Sequence, residues 1–159
     1  MSIFPHTVAG AVAGSFFDNP IAGGMAGFVS HLLMDMVPHW EYPIGEFKRI
    51  SETHEPQLAK KAFWFDLAKV GADALIGFSI LFLSGYFLEI GWKSLIIGGI
   101  FGILPDSLSF LSWFSPSGVL QTHNKFHQSI HTKIKAGSKL GIATQAAAIG
   151  IILTILFFV

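Results

Sequence analysis

The chain carries long apolar stretches almost free of charge, and these limit its fold more than any other feature. Leu140 to Val159 has no charged residue, and at ~1.5 Å of helical rise per residue it is long enough to cross a hydrocarbon core of ~30 Å. Ser94 to Phe114 is a second such stretch, interrupted only by Asp106, and Leu67 to Leu88 is a third, with Lys69 near its start and Asp73 inside it. Backbone in hydrocarbon must satisfy its own hydrogen bonds, so each stretch reads as a spanning helix. The 159 residues are 52% hydrophobic and 13% charged with a mean hydropathy of +0.58, well away from the balance of a soluble domain. The expected fold is all-α: a polytopic membrane helical bundle forming a single integral membrane domain over residues 1–159.

Composition also removes several function classes. Without cysteine there is no disulfide, thiolate ligand or cysteine nucleophile, so any metal must be held by histidine and oxygen. A formal net charge of zero leaves no basic surplus for a phosphate backbone, which argues against nucleic acid as a partner. The start of the chain has no basic segment and predicts no cleavable signal sequence.

Residues 7–37 are apolar for long enough to span once, but Asp18-Asn19-Pro20 falls in their middle. Asp or Asn suits an N-cap and Pro the first helical position, so two short helices are expected at about 7–17 and 20–37, joined as a hairpin. The hairpin has a chemical consequence, because it returns His6 to the membrane face that carries His39. Small residues from Ala9 to Gly14 and from Ala22 to Gly27 permit close approach of the two helices. The two long connections hold Lys48, Arg49, Lys60 and Lys61, and Lys125, Lys133, Lys135 and Lys139, whereas the link from Glu89 to Lys93 is almost bare. By the positive-inside tendency both connections face the cytoplasm, across the inner membrane.

The polar residues inside this apolar frame gather on one side. His31 and Asp35 are four residues apart at the end of the hairpin, with His39 just beyond; Asp66 and Asp73 open one span and Asp106 lies late in another. Intramembrane acids are expensive and by default point to function. In the last connection His123, His127 and His131 recur at i, i+4 and i+8, so at ~100° per residue they share an arc of ~80° on an amphipathic helix. Phe126, Ile130 and Ile134 fall in or beside that arc and Lys125, Gln128, Thr132 and Lys135 opposite it, which predicts imidazoles pointing inward and needing partners.

Each element has a plainer reading by itself. A lone inward histidine is more often a hydrogen-bonded core residue than a ligand, and His54, in the hydrophilic stretch 51–56, reads as a surface residue. Asp73 suits a packed acid bonded to a neighbouring serine, Asp66 a charge favoured by a helix dipole, and Asp106 after Pro105 a kinked helix. Their convergence on one membrane face is what favours a metal site.

Four segments carry a family resemblance: His6-Thr-Val-Ala-Gly10, Gly27-Phe-Val-Ser-His31-Leu-Leu-Met-Asp35, Gly99-Ile-Phe-Gly-Ile-Leu-Pro105-Asp106 and the His123–His131 segment. Together the chain resembles the YdjM-like membrane-bound metal-dependent hydrolases, themselves distantly similar to the zinc-dependent phospholipase C and nuclease superfamily. Here the Ser-His-xxx-Asp element precedes Pro-Asp, the reverse of that family's order, and the chain is also similar to small membrane proteins carrying Ser-His-x-x-x-Asp-x-x-Pro-His-Trp. The resemblance implies His6, His31, Asp35, Asp106, His127 and His131 as metal ligands, with His39, Asp73 and His123 as further ligands or their supports.

Imidazole and carboxylate without thiolate suit zinc first, then manganese or iron(II), as one or two ions. Metal lowers the pKa of bound water, and a carboxylate such as Asp35, Asp73 or Glu41 takes the proton. The expectation is a metal-dependent hydrolase of a phospholipid or lipid-linked phosphoester, with Lys125, Lys133 or Arg49 attracting the anionic head group. Membrane lipid is the expected partner, and a homo-oligomer is compatible with the spans. The alternative is a divalent-cation or proton carrier, although the outer half of each span is nearly pure Leu, Ile, Phe and Gly. Haem ligation by paired histidines is a third option.

Overall fold

The computed structural model describes residues 2–87, 91–115, 117–134 and 137–157, and among these it contains seven helices and no strand. They are α1 (Ile3–Ser15), α2 (Pro20–Met36), α3 (Gly45–Thr53), α4 (Lys61–Phe87), α5 (Trp92–Phe114), α6 (Gly118–Ile130) and α7 (Ser138–Phe157). Three of them, α4, α5 and α7, are long and apolar enough to cross a membrane. Their outward faces carry large apolar side chains, such as Leu75 at 70% exposure and Ile151 at 62%, which only a hydrocarbon solvent makes inexpensive. The expected ends Leu88 and Val159, and Lys135, lie outside the described residues.

The amino-terminal hairpin forms as expected, with shifted bounds. Asn19 caps α2 by accepting from the Ile21 N–H at 2.9 Å, and Pro20 occupies the first helical position. The first helix begins at Ile3 rather than near residue 7 because Pro5 falls in its first turn, where a missing N–H costs nothing. Asp73 on α4 supplies what that turn lacks, accepting from the Ile3 N–H and, at 3.3 Å, from the Phe4 N–H.

A second helix terminus is held in the same way. The reading of residues 39–63 as a connection missed α3, whose Glu46 and Phe47 N–H groups donate to Asp66 of α4 at 2.9 and 3.4 Å. Phe47 and Ile50, three residues apart, bury the inner face of α3 against Phe63 and Phe110. His54 then ends the helix in the left-handed region (φ 56°), exposed as expected.

Both helices of the hairpin lie against α5, and the crossings are backbone to backbone. A Cβ on Gly10 would collide with the Gly98 carbonyl, and one on Gly102 with the carbonyl of His6. This closeness brings the first turn of α1, the last turns of α2 and the middle of α5 to one point.

Overpacking at such a crossing costs about 1–3 kcal/mol. Gly98→Ala, whose Cβ would meet the Gly10 carbonyl, is expected to lower the Tm in detergent by several degrees, whereas Gly150→Ala, with nothing within 4 Å, leaves it unchanged. Thermal unfolding of the two variants side by side checks this, and equal effects would mean that α1 and α5 do not meet at these glycines.

Candidate metal centre

Asp35 sits at the meeting point with its side chain fully buried and faces four imidazoles. Its Oδ2 lies 2.7 Å from His127 Nε2 and 3.1 Å from His31 Nε2, and these two nitrogens are 3.0 Å apart. Its Oδ1 lies 3.3 Å from His6 Nε2 and 3.6 Å from His131 Nε2. Asp106 approaches from α5, with Oδ1 at 3.6 Å from His127 and 3.9 Å from His31. On the other side Glu41 Oε1 is 3.6 Å from both His39 and His131.

Three groups of possible ligands result, each with its donor atoms within 4.8 Å of one another: His6, His31 and Asp106; His31, Asp35 and His127; and Asp35, His39 and His131. Metal–ligand bonds of about 2.0–2.1 Å in tetrahedral arrangement put neighbouring donors about 3.3 Å apart. The spacings of 2.7, 3.0 and 3.1 Å around Asp35, His31 and His127 are a slightly contracted version of that set.

The far ring nitrogens strengthen the case. His31 Nδ1 donates to the Gly102 carbonyl at 2.7 Å and His39 Nδ1 to the Val37 carbonyl at 2.7 Å, which leaves each Nε2 as a bare lone pair. His127 Nδ1 lies 2.9 Å from Ser109 Oγ, again leaving Nε2 toward Asp35. Ligating histidines are held in this manner by carbonyls and hydroxyls, which fix both tautomer and ring angle. His6, stacked on His31 at 3.9 Å between centroids, is completely buried, and among the described residues neither of its nitrogens has a hydrogen-bond partner, nor has Asp35 Oδ1. Orphaned buried nitrogens and a bare carboxylate oxygen facing each other fit a cation between them.

The local sequence explains the placement. On α2, His31 and Asp35 are one turn apart and share a face. On α5, Gly102, Asp106 and Ser109 follow the same helical stripe. The helix α6 stops at Ile130, and His131 is its C-cap; the Thr132 N–H donates to the Asp35 carbonyl at 2.8 Å and ties this end to α2. His39 is pinned from outside by α7, whose Gly141 lies against the Trp40 backbone and whose Gln145 donates to the Trp40 carbonyl at 3.1 Å.

Of the residues singled out from sequence, His6, His31, Asp35, His39, Asp106, His127 and His131 enter these groups. His123 donates from Nε2 to the Pro105 carbonyl at 3.0 Å and so ties α6 to α5. Asp73 holds the start of α1 and accepts from the Tyr42 hydroxyl at 3.4 Å. Phe126 and Ile134, expected in or beside the inward arc, are exposed at 50% and 64%, whereas Ile130 is half-buried. Arg49 is bound to Glu46 at 2.8 Å through Nε, and Lys125 and Lys133 are exposed. Ser109 and the Gly102 carbonyl were not read from sequence; a serine on the stripe of Asp106 in an apolar span was the available signal.

Two groups outside the spanning helices titrate in a direction that suits ligation or proton transfer. Burial pushes the His131 imidazole down, favouring the neutral form that can ligate. The neighbouring His39 imidazole, 3.6 Å away, holds Glu41 below the usual carboxylate range, so it is anionic.

No protein-family model, curated protein or solved structure matches the chain. The centre therefore stands on its own geometry, as a membrane protein with His/Asp groups able to hold a metal ion.

Elemental analysis of purified protein is expected to show bound metal that is lost in His31→Ala and His127→Ala and kept in His123→Ala. Ser109→Ala removes a support rather than a ligand, so it weakens metal affinity by about 10–100-fold while stoichiometry at saturation is kept. Full metal retention in His31→Ala would contradict the assignment.

Proposed function

We propose that this protein is a membrane-embedded metal-dependent hydrolase of a phosphoester carried by a membrane lipid, with its centre facing the cytoplasm across the inner membrane. The observation that carries the reading is Asp35 shared between two histidine pairs, His31 with His127 and His39 with His131. A carboxylate presenting Oδ2 to His31 and His127 and Oδ1 to His131 suits two divalent ions, zinc before manganese or iron(II). The YdjM-like resemblance of the four motifs points to the same activity.

Divalent ions in this donor set supply an acidified water and charge neutralisation for the attacking and leaving oxygens. Hydrolysis makes one P–O bond to water and breaks one to the alcohol; the water loses a proton and the departing alkoxide gains one. Glu41 is placed to take the first proton, being anionic, 59% exposed and beside His39 and His131. Asp35 is enclosed by imidazoles, and Asp73 is engaged by the backbone of α1. Two divalent ions against Asp35, Asp106 and Glu41 leave a net charge of about +1, which attracts an anionic phosphoester.

The test is release of phosphate or head group from phospholipid in mixed micelles. Activity is expected to vanish with chelator and to return with zinc or manganese, and Glu41→Gln should lower kcat by about 10²–10⁴-fold with metal content intact. Turnover indifferent to chelator would overturn the reading. Ion uptake into proteoliposomes by a protein without turnover would favour a carrier instead.

A further inference from the structure

A cavity of about 580 Å³ opens directly from the centre. Its polar end is formed by Glu41, Asp106, His127 and His131, all within the donor cluster. The remaining wall is largely apolar and includes Phe47, Leu67, Val70, Phe110, Leu111 and Trp113, from α3, α4 and α5. No lysine or arginine lines it among the described residues.

Two wall residues show where the space leads. Leu67 on α4 is 37% exposed and Leu111 on α5 is 51% exposed, so the cavity reaches the outer surface of two helices that are long and apolar enough to cross a membrane. With α4 and α5 crossing a membrane, a mouth there would face hydrocarbon, and a molecule entering through it would come sideways from the bilayer. A small charged ester gains nothing from such a wall, whereas a lipid can slide one chain in without passing through water.

We infer that the cavity holds a hydrocarbon chain of the substrate, entering between α4 and α5, while the phosphate lies at the Asp106, His127 and His131 end. The inference rests on the hydrolase reading and extends it to the way the substrate is recognised. Because the chain leaves hydrocarbon for hydrocarbon, the cavity contributes position more than affinity: it sets how far the phosphate reaches toward Asp35. The absence of lysine and arginine from the described lining leaves the head-group charge to the ions of the centre.

Photo-crosslinking tests this directly. The zinc-loaded protein in phosphatidylcholine nanodiscs is illuminated with hexadecyl phosphate carrying a diazirine near the chain end. Saturable labelling is expected on peptides containing Leu67, Val70 or residues 110–113, displaced by unlabelled hexadecyl phosphate and not by glycerol phosphate. Val70→Trp fills the wall and should cut that labelling roughly tenfold, and Leu111→Trp, at the exposed mouth, is the second variant should the first fail to fold. Undisplaced labelling spread over the outward Leu75, Leu83 and Ile151 would overturn the inference, as would displacement by glycerol phosphate. Metal content of the same sample separates the two failures: metal-replete protein without cavity labelling sinks the chain site alone, whereas protein that binds neither zinc, manganese nor iron(II) sinks the hydrolase reading and this inference with it.

Discussion

The buried carboxylate of Asp35 is the constraint on which the rest of the structure depends. An unpaired carboxylate taken out of water costs several kcal/mol, and here its side chain is fully enclosed. Neutral imidazoles can offset this only by donating N–H groups, and for His31 the far-side hydrogen bond withdraws that option. His31 spends its N–H on the Gly102 carbonyl, so its Nε2 lone pair faces the Asp35 oxygen at 3.1 Å. Lone pair against anion is repulsive unless positive charge lies between them. Extra protons would make the imidazoles cationic in a buried site, whereas divalent ions use the same lone pairs without adding any N–H. A divalent ion between these lone pairs and the carboxylate would remove the repulsion, and in this sense the donor set fits a metal.

Bringing that set together depends on helices that touch through their backbones. Side chains at Gly10, Gly98 or Gly102 would hold α1 and α5 apart, and His6 would no longer reach Asp35. Pro105 adds to this on α5. Lacking an N–H, it loosens the helical ladder next to Asp106, and its own carbonyl accepts from His123 while the Gly102 carbonyl one turn earlier accepts from His31. The carbonyls of Gly102 and Pro105 thus orient two histidines from two other helices. The acids of α4 serve a related purpose, since Asp73 and Asp66 satisfy the open ends of α1 and α3 where water cannot.

How much of this was legible in the chain follows from the range of each interaction. The three spans, the hairpin and the joining of His6 with His31, Asp35 and the late histidines could be read, because charge-free length, an Asp-Asn-Pro break and i, i+4 spacing are local signals. The helix α3 was hidden because its start is capped by an aspartate from another helix, and its charged residues resembled a loop. The end of α6 at Ile130 was also hidden: nothing in Ser129-Ile130-His131 breaks a helix, and the tie from Thr132 to Asp35 is a long-range contact. Roles divided for the same reason. Asp73 and His123 have the chemistry of ligands, but a backbone end and a backbone carbonyl lie closer to them than the donor groups do.

Exposure across the centre rises in one direction. His6, His31 and Asp35 have none, His131 has 17%, Asp106 25% and Glu41 59%. The closed end is backbone, because the carbonyl of His6 lies against Gly102, and parting it would mean separating α1 from α5 along their glycine contact. A carrier must open to both sides in turn, and here the second opening would dismantle the crossing that positions His6. A centre approached from one side needs no such motion. The cavity from Asp106 and His131 to Leu67 and Leu111 provides an approach to this exposed end of the centre.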